Sequence, residues 1–362
     1  MHFVNQCLIY FFFCSLLLFT SCTPTPKNQS NEIITTKNKK DSLNPKGMIW
    51  VAKKTFLMGA KKSDKFAMTR EKPAHKVSVD GFYIDTHEVT NEQFQKFVKA
   101  TNYITVAERK IDWEEMKKSL PAETPKPADS ILQPGSLIFN KTSKNITSMN
   151  NYIQWWTWKI GANWKHPEGP ESSIEGKENL PVVHVGLEDA LAYCKWANRR
   201  LPTEAEWESA AQGQFEENIF VWGNSYEDLN RNANTWQGTF PTQNLSKDGF
   251  QYIAPVGSYP PNNIGLFDMA GNVWEITSDL FNTNYYQSLD PDIVYKNPTG
   301  AKSSYNPSNP YQTEITIKGG SFLCHDSYCA SFRISARMGM ELNSSSDHIG
   351  FRTVVTNEML KN

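Results

Sequence analysis

The chain combines eleven tryptophans with twenty glycines and twenty prolines in 362 residues. Tryptophan is bulky and its indole N–H needs an acceptor when buried, whereas glycine and proline interrupt long helices and strands. Together they predict turns and short elements packed around aromatic side chains, and they argue against a helical bundle. Because 39% of the residues are hydrophobic, the chain has enough apolar material for one large domain or two small ones.

The charges are balanced, with 37 Lys and Arg against 38 Asp and Glu and a formal net charge of -1. Binding to nucleic acid needs a basic surplus or a basic stripe, because the phosphate backbone supplies most of the attraction. The composition therefore predicts no nucleic-acid partner. It also argues against attachment to anionic lipid by charge alone.

The N-terminus has the pattern of an export signal. Leu8 to Thr20 form an uncharged and almost wholly apolar run, shorter than the roughly 20 residues that a membrane-spanning helix needs. The run ends in Phe19-Thr20-Ser21-Cys22, which resembles the bacterial lipobox. The alternatives are a short membrane anchor or a buried N-terminal strand.

The pattern thus predicts a lipoprotein signal peptide at residues 1–21, lipidation of Cys22 and a flexible tether over residues 22–47. The tether is expected because its polar composition cannot bury enough apolar surface to offset the entropy of ordering. One domain over residues 48–357 is the simplest partition of the rest. The protein is then expected to be a membrane-anchored monomer, exported to face the periplasm or cell envelope.

Local patterns predict several elements of this domain. His75 to Asp85 alternate as strand, turn and strand, and a strand at Val182–Val185 precedes a helix. Capping boxes at Thr90 and Thr203 predict helix starts, because Gln93 and Glu206 follow three residues later. Residues 110–177 are predicted to form a long irregular loop, and residues from 218 onward to form short strands without long helices.

Three cysteines remain after processing, namely Cys194, Cys324 and Cys329. An odd number outside the cytoplasm predicts at least one free thiol. Cys194 lies in an amphipathic helical pattern and is predicted to be a small buried hydrophobe. By cysteine count alone, Cys324 and Cys329 fit a simple disulfide.

Several stretches resemble the formylglycine-generating enzymes, whose fold is the sulfatase-modifying-factor fold. In chain order they are PAHKVSVDGFYIDTHEVTNEQF, GANWKHPEGP, LPVVHV, AYCKWANRRLPTEAEWE, GFQYIAPVGSYPPNNIGLFDMAGNVWE, KGGSFLCHDSYC and HIGFR. RLPTEAEWE and GNVWE mark the broad superfamily, whereas KGGSFLCHDSYC carries both late cysteines at the spacing of the oxidase. The resemblance implies an α+β fold, a single large irregular domain with C-type-lectin-like character and little regular secondary structure.

The resemblance also implies a reaction. Family members use dioxygen to oxidise a cysteine in a Cys-x-Pro-x-Arg motif of an unfolded sulfatase to Cα-formylglycine. In that picture Cys324 and Cys329 bind Cu(I), which prefers soft thiolate ligands. A resting disulfide between them stays open as an alternative or as the apo form.

Further site residues follow from the resemblance. Ser321 stands beside the active cysteines, where its hydroxyl would orient oxygen or substrate, although a turn hydroxyl is an equal alternative. Trp155 and Trp274 match aromatic positions of the substrate groove, with core packing as the alternative. His348 replaces an asparagine that helps to hold the substrate.

Two calcium sites are also implied, because calcium binds several oxygens and can stabilise a fold rich in loops. The first would use side chains of Asn234 and Asp248 with the carbonyls of Thr235 and Phe250. The second would use side chains of Asp268 and Glu275 with the carbonyls of Gly271 and Val273. The alternative is that these carboxylates cap turns.

Two other function classes compete with the oxidase. One is a non-catalytic lipid-anchored envelope scaffold, and another is a glycan-binding module of lectin type. The paired cysteines favour the oxidase over the scaffold, and no sugar-binding motif is evident. An iron-dependent sulfoxide synthase is disfavoured because no helical domain with a His-x3-His-x-Glu ligand set precedes the fold.

Overall fold

The computed structural model describes residues 45–142, 146, 148–149 and 151–361. The predicted signal peptide, Cys22 and most of the tether therefore lie outside the described residues. Within the described part, no helix has both the length and the apolar character that crossing a membrane requires. The domain begins in a turn just before Met48, where the Met48 amide donates to the Pro45 carbonyl at 3.2 Å.

The described chain contains short strands and few helices, as the composition predicts. The strands are β1 Met48–Val51, β2 Lys54–Met58, β3 His75–Val79, β4 Phe82–Asp85, β5 Gly135–Phe139, β6 Trp156–Ile160, β7 Gly238–Thr239, β8 Gln243–Asn244, β9 Trp274–Leu280, β10 Tyr295–Lys296, β11 Glu314–Lys318, β12 Met338–Glu341, β13 Ile349–Gly350 and β14 Val354–Val355. The α-helices are α1 Asn91–Thr101, α2 Trp113–Lys117, α3 Leu187–Trp196, α4 Glu204–Gln212 and α5 Leu229–Asn232.

Three small sheets organise the domain. Their strand orders are β1-β4-β14, β10-β3-β2 and β12-β11-β9-β13, and two hairpins, β5–β6 and β7–β8, stand beside them. The predicted strand–turn–strand at His75–Asp85 is confirmed, but its two strands join different sheets. Strand β11 pairs antiparallel with β9, so the chain that leaves β11 at Lys318 emerges next to Glu275.

Aromatic side chains fill the two larger cores of the described residues, beside a small third cluster of Met48, Tyr83 and Val355. The main core packs α1, α3 and α4 against the sheets and includes Trp164, Trp207 and Trp274. The second core consists of Phe139, Trp155, Trp236, Phe240, Phe322 and Leu323. Burying an aromatic side chain of this size contributes about 2–3 kcal/mol. Because the second core includes the two residues just before Cys324, it holds the predicted copper turn in place.

The two predicted capping boxes are confirmed. The Thr90 hydroxyl accepts from the Gln93 amide at 3.3 Å, and the Gln93 side chain accepts from the Thr90 amide at 2.8 Å. Thr203 and Glu206 form the same reciprocal pair at 3.1 and 2.9 Å. These bonds satisfy amides that have no partner within the helix, so the sequence signal and the observed helix starts share one cause.

The predicted strand at Val182–Val185 is wrong, although the helix after it is confirmed as α3. Among the described residues, the segment pairs only through an isolated bridge between Pro181 and Thr90 and through single hydrogen bonds. His184 has φ +60°, which breaks the extended run in its middle. The hydrophobic pattern of so short an apolar run does not distinguish a strand from a buried connecting segment.

Residues 110–177 are more regular than predicted. They contain α2 and the hairpin of β5 and β6, in which Phe139 pairs with Trp156 and Leu137 with Trp158. A long connection separates the two strands. The sequence therefore lacks the two-residue turn motif that would predict a hairpin here. The hairpin brings Trp155 to the second core.

Candidate functional site

The late cysteines lie in a turn that begins where β11 ends. Gly319 and Gly320 follow Lys318 with φ +89° and +77°. A Cβ at Gly320 would lie 2.8 Å from the Ser331 carbonyl, so only glycine fits this close approach without a shift of the backbone. The double glycine therefore lets the turn fold back against Ser331, beyond both cysteines.

Backbone hydrogen bonds then bring the two thiols together. The Cys324 amide donates to the Ser321 carbonyl at 2.9 Å, and the Ser321 amide donates to the Cys324 Sγ at 3.4 Å. The His325 carbonyl accepts the Cys329 amide at 2.9 Å, which turns the chain back. Both cysteines are free, and their thiols lie close enough to shift each other's pKa.

The environment makes the two thiols unequal. Burial raises the pKa of Cys324 well above its ordinary value, and the hydrogen bond it shares with Cys329 acts in the same direction. Burial alone would also raise the pKa of Cys329, but hydrogen bonds from Cys324 and Ser331 outweigh it, so the pKa of Cys329 is lowered. The pair therefore favours one thiolate, at Cys329, with the remaining proton on Cys324.

This donor set fits Cu(I). Two neighbouring thiolates are the soft ligands that a monovalent copper ion prefers. Metal binding to the pair would release the proton held by Cys324. A disulfide between the two cysteines stays the alternative to metal binding, although both are free in this structure.

Ser321 is fully buried, and its hydroxyl accepts from the Leu323 amide at 3.3 Å. This bond stabilises the turn, in line with the alternative considered for this residue. Tyr328 immediately precedes Cys329; it is partly exposed and stacks on Phe240 with ring centroids 4.5 Å apart. Tyr328 lies within the KGGSFLCHDSYC motif, but nothing in its local pattern marks it as a site residue.

The predicted substrate residues differ in their exposure. Trp155 and Trp274 are both buried, in the second and the main core respectively. In this structure they therefore support the site from beneath and present no exposed face. His348 is half-buried, and its ring meets the Trp156 ring edge to face at 4.8 Å. Burial lowers the pKa of His348 to about 3, so its imidazole is neutral.

The first predicted calcium site is held together by Asp248. Its carboxylate accepts the Thr235 amide at 2.9 Å and the Phe250 amide at 3.2 Å. Asn234 donates its amide nitrogen to the Tyr252 carbonyl at 2.9 Å. The carbonyl oxygen of its side chain is thus the group that could bind a cation. The four predicted ligand residues do lie close together, and the carboxylate also caps the turn.

The second predicted calcium site is divided. Both oxygens of Glu275 accept from Arg352 at 2.6 Å, and one also accepts from the Trp207 indole at 2.7 Å. Asp268 accepts the Gly257 amide at 2.7 Å, whereas its other oxygen is buried without a partner. Asp268 thus fits a cation, but Glu275 is already paired with a buried guanidinium. Arg352 lies in the HIGFR stretch, which carries no local signal that its guanidinium pairs with Glu275.

Asp347, immediately before His348, is another carboxylate with a buried oxygen. Asp347 accepts the Phe139 amide at 2.7 Å, and its other oxygen is buried without a partner. Burial raises the pKa of Asp347 to about 7. The folded chain therefore holds this proton more tightly than the unfolded chain does. Stability should fall as pH rises from about 4 to about 7, and the penalty is fully present above pH 7.

We expect Asp347→Asn to raise the free energy of unfolding at pH 8 by at least about 1 kcal/mol, because an amide removes the charge and retains the acceptor for Phe139. The gain should vanish near pH 4. Urea unfolding at both pH values measures it, with the exposed Asp290→Asn as control. An equal effect at both pH values would contradict this account.

The fold and the paired thiols define a domain of the sulfatase-modifying type. The family described as "Sulfatase-modifying factor enzyme 1-like domain" matches residues 34–357. The chain is 40% identical over 284 residues to the formylglycine-generating enzyme of Mus musculus, covering 78% of this chain and 68% of the relative. It is 39% identical over 308 residues to that of Thermomonospora curvata, covering 85% and 92%. The chain belongs to the formylglycine-generating enzyme family.

Two further similarities bear on the site. An inactive Cα-formylglycine-generating enzyme 2 of Mus musculus is 36% identical over 304 residues, covering 82% of each chain. Among solved structures, PvdO from Pseudomonas aeruginosa matches with a TM-score of 0.54 and 20% identity, over 85% of this chain and 93% of that one. The structural match shows the fold alone, and the inactive relative shows that family membership does not by itself establish activity.

Proposed function

We propose that this protein is a copper-dependent oxidase that converts a cysteine in a Cys-x-Pro-x-Arg motif of an unfolded sulfatase to Cα-formylglycine. The proposal depends on one observation, the approach of the free Cys324 and Cys329 thiols in a turn at the protein surface. A family member that had become a scaffold would have no need of this arrangement.

In this proposal Cys324 and Cys329 would hold Cu(I), which supplies a soft binding position for the substrate sulfur and for dioxygen. Hydrogen bonds from Ser331 and Cys324 favour the thiolate of Cys329, the protonation state that metal binding requires. Because Cys324 is buried and Cys329 is partly exposed, substrate would approach from the Cys329 side. Holding the reacting groups together supplies much of the rate.

The overall chemistry needs a reductant. Conversion of a CH2–SH group to an aldehyde with release of sulfide removes two electrons from the substrate. Reduction of one O2, with one oxygen atom entering the aldehyde and the other leaving as water, takes up four. The remaining two electrons and two protons must therefore come from an external reductant, such as a thiol.

A direct test incubates the domain from Met48 with Cu(I), O2, a thiol reductant and a Cys-x-Pro-x-Arg peptide. We expect mass spectrometry to show loss of the thiol and gain of an aldehyde. A protein that binds copper through both cysteines but never yields an aldehyde would support the second candidate, a lipid-anchored scaffold or binding protein. The inactive family member keeps that candidate open.

Calcium binding at Asp248 and Asp268 and lipid attachment at Cys22 are further parts of the proposal. The support for calcium is the oxygen-rich turn at Asp248 and the buried unpaired oxygen of Asp268. Calcium binding is tested by removing metal ions with a chelator, adding calcium back and measuring the thermal midpoint of the domain. Metabolic labelling with palmitate in a bacterial host, with Cys22→Ser for comparison, tests lipid attachment and with it the membrane-anchored location.

A further inference from the structure

Strand β6 has a free edge. The Asn140 amide donates to the Trp155 carbonyl at 2.8 Å, and the Gly161 amide donates to the Pro134 carbonyl at 2.9 Å. The backbone N–H and C=O groups of the odd-numbered residues on this side of the hairpin therefore point toward β5. Backbone groups alternate along an antiparallel strand, so those of Trp156, Trp158 and Ile160 point away from β5. Within the described residues, no strand pairs with this outer edge.

The same three residues form an apolar stripe. Side chains two apart share one face of a strand, and Trp158 and Ile160 are 39% and 46% exposed. The strand carries no proline, and its one charged residue, Lys159, lies on the opposite face from Trp158 and Ile160, so this face lacks the usual features that keep an edge from pairing with other chains. A groove of about 640 Å³ adjoins the stripe and is lined by Met116, Leu137 and Trp158, among others. The stripe and the free edge thus offer side-chain and backbone contacts together.

The start of β6 lies beside the cysteine turn, through the buried ring of Trp155. Trp155 immediately precedes β6, and its ring meets the Tyr328 ring edge to face at 6.0 Å, next to Cys329. Trp156 contacts the His348 ring at 4.8 Å. From there the edge runs about 13 Å to Ile160 at the rise of a strand. An extended chain whose cysteine lies at Cys329 could therefore place a flanking segment of about four residues along β6.

We infer that the outer edge of β6 is a docking site for an extended apolar segment of the substrate polypeptide, outside the modified motif. This inference rests on the proposed function, which requires an unfolded chain as substrate. Such a chain has free backbone groups and exposed apolar side chains, the two features that adding a strand to a sheet edge uses. A folded protein would not offer them.

The test compares a short Cys-x-Pro-x-Arg peptide with peptides extended on either side by six alternating valines and threonines. We expect at least one extended peptide to have a KM about tenfold lower than the short one, and Trp158→Ser to remove that advantage without changing turnover of the short peptide. The control is Trp50→Ser, because Trp50 is a comparably exposed tryptophan in a different strand, β1. This variant should keep the lower KM for the extended peptide. Equal KM values for all peptides in the wild-type protein would overturn the inference.

A second measurement separates this inference from the proposed reaction. Fluorescence anisotropy of the extended peptide with serine in place of its cysteine reports binding without turnover. N-methylation of every second amide in the extension should abolish its extra affinity when the methylated amides are those that face the strand edge. Methylation of the other set of amides should leave that affinity unchanged, because only one set faces the edge. Loss with both sets, or with neither, would contradict docking by strand pairing. If binding follows this pattern but no aldehyde forms, the proposed reaction fails and the docking site stands.

Discussion

Replacement of either late cysteine by serine is expected to lower peptide conversion by at least about a thousandfold. Each thiol is one half of the proposed metal site, and a serine hydroxyl is a hard, neutral donor that does not replace a thiolate for Cu(I). Single-turnover assays with mass spectrometry, on Cys324→Ser and Cys329→Ser loaded with copper under the same conditions as the wild type, measure the loss.

The matched control is Cys194→Ser, which changes the third free thiol of the domain. Cys194 is buried in the main core, and burial raises its pKa to about 12, so it is not a reactive thiolate. Its variant should retain activity, with at most a modest loss of stability. Full activity in Cys324→Ser or Cys329→Ser would refute the oxidase assignment, and unchanged thermal midpoints in both would show that the loss is chemical and not structural.

The second large effect concerns Arg333, just beyond the cysteine turn. Its guanidinium donates to both oxygens of Glu71 at 2.6 and 2.7 Å and to Asp64 at 2.6 Å, and its Nε donates to the Ala330 carbonyl at 2.8 Å. All three charged side chains are buried. One guanidinium thus compensates two carboxylates and fixes the end of the turn.

We expect Arg333→Met to lower the free energy of unfolding at pH 7 by about 3–5 kcal/mol, because it leaves two buried carboxylates without a partner. Arg333 holds the pKa of Glu71 below its ordinary value, so in the variant this pKa should rise. The loss should therefore shrink as pH falls toward 4, because in the folded variant Glu71 takes up a proton and no longer carries an unpaired buried charge. Urea unfolding across this pH range measures both effects.

Arg231→Met provides the control, because the Arg231 side chain is exposed and its ion pair with Asp228 spans 3.5 Å. Its effect should stay within about 0.5 kcal/mol. A loss for Arg333→Met no larger than that of the control would show that the buried network is not a major source of stability. The network would then matter only for the geometry of the cysteine turn.

Features that depend on near neighbours in the chain could be read from the sequence. The capping boxes at Thr90 and Thr203 are local, since each bond spans three residues. The turn-rich, aromatic architecture follows from composition. The cysteine pair could be singled out because the short stretch KGGSFLCHDSYC, which carries Cys324 and Cys329, resembles the family motif.

Features that depend on distant segments could not be read in this way. Glu275 pairs with Arg352, which lies 77 positions further along the chain. Trp155 packs in the second core because the hairpin of β5 and β6 places it there. A residue's own pattern does not reveal whether a carboxylate will meet a cation or a guanidinium, or whether an indole will be exposed.

The sequence alone therefore determined the helix starts, the aromatic and turn-rich class of fold and the identity of the two thiols, because these depend on short spans of chain. The tertiary structure alone decided the shared proton of those thiols, the burial of Trp155 and Trp274, the pairing of Glu275 and the free edge of β6. Each of these depends on the distance between groups that only packing brings together, and on the loss of water around them.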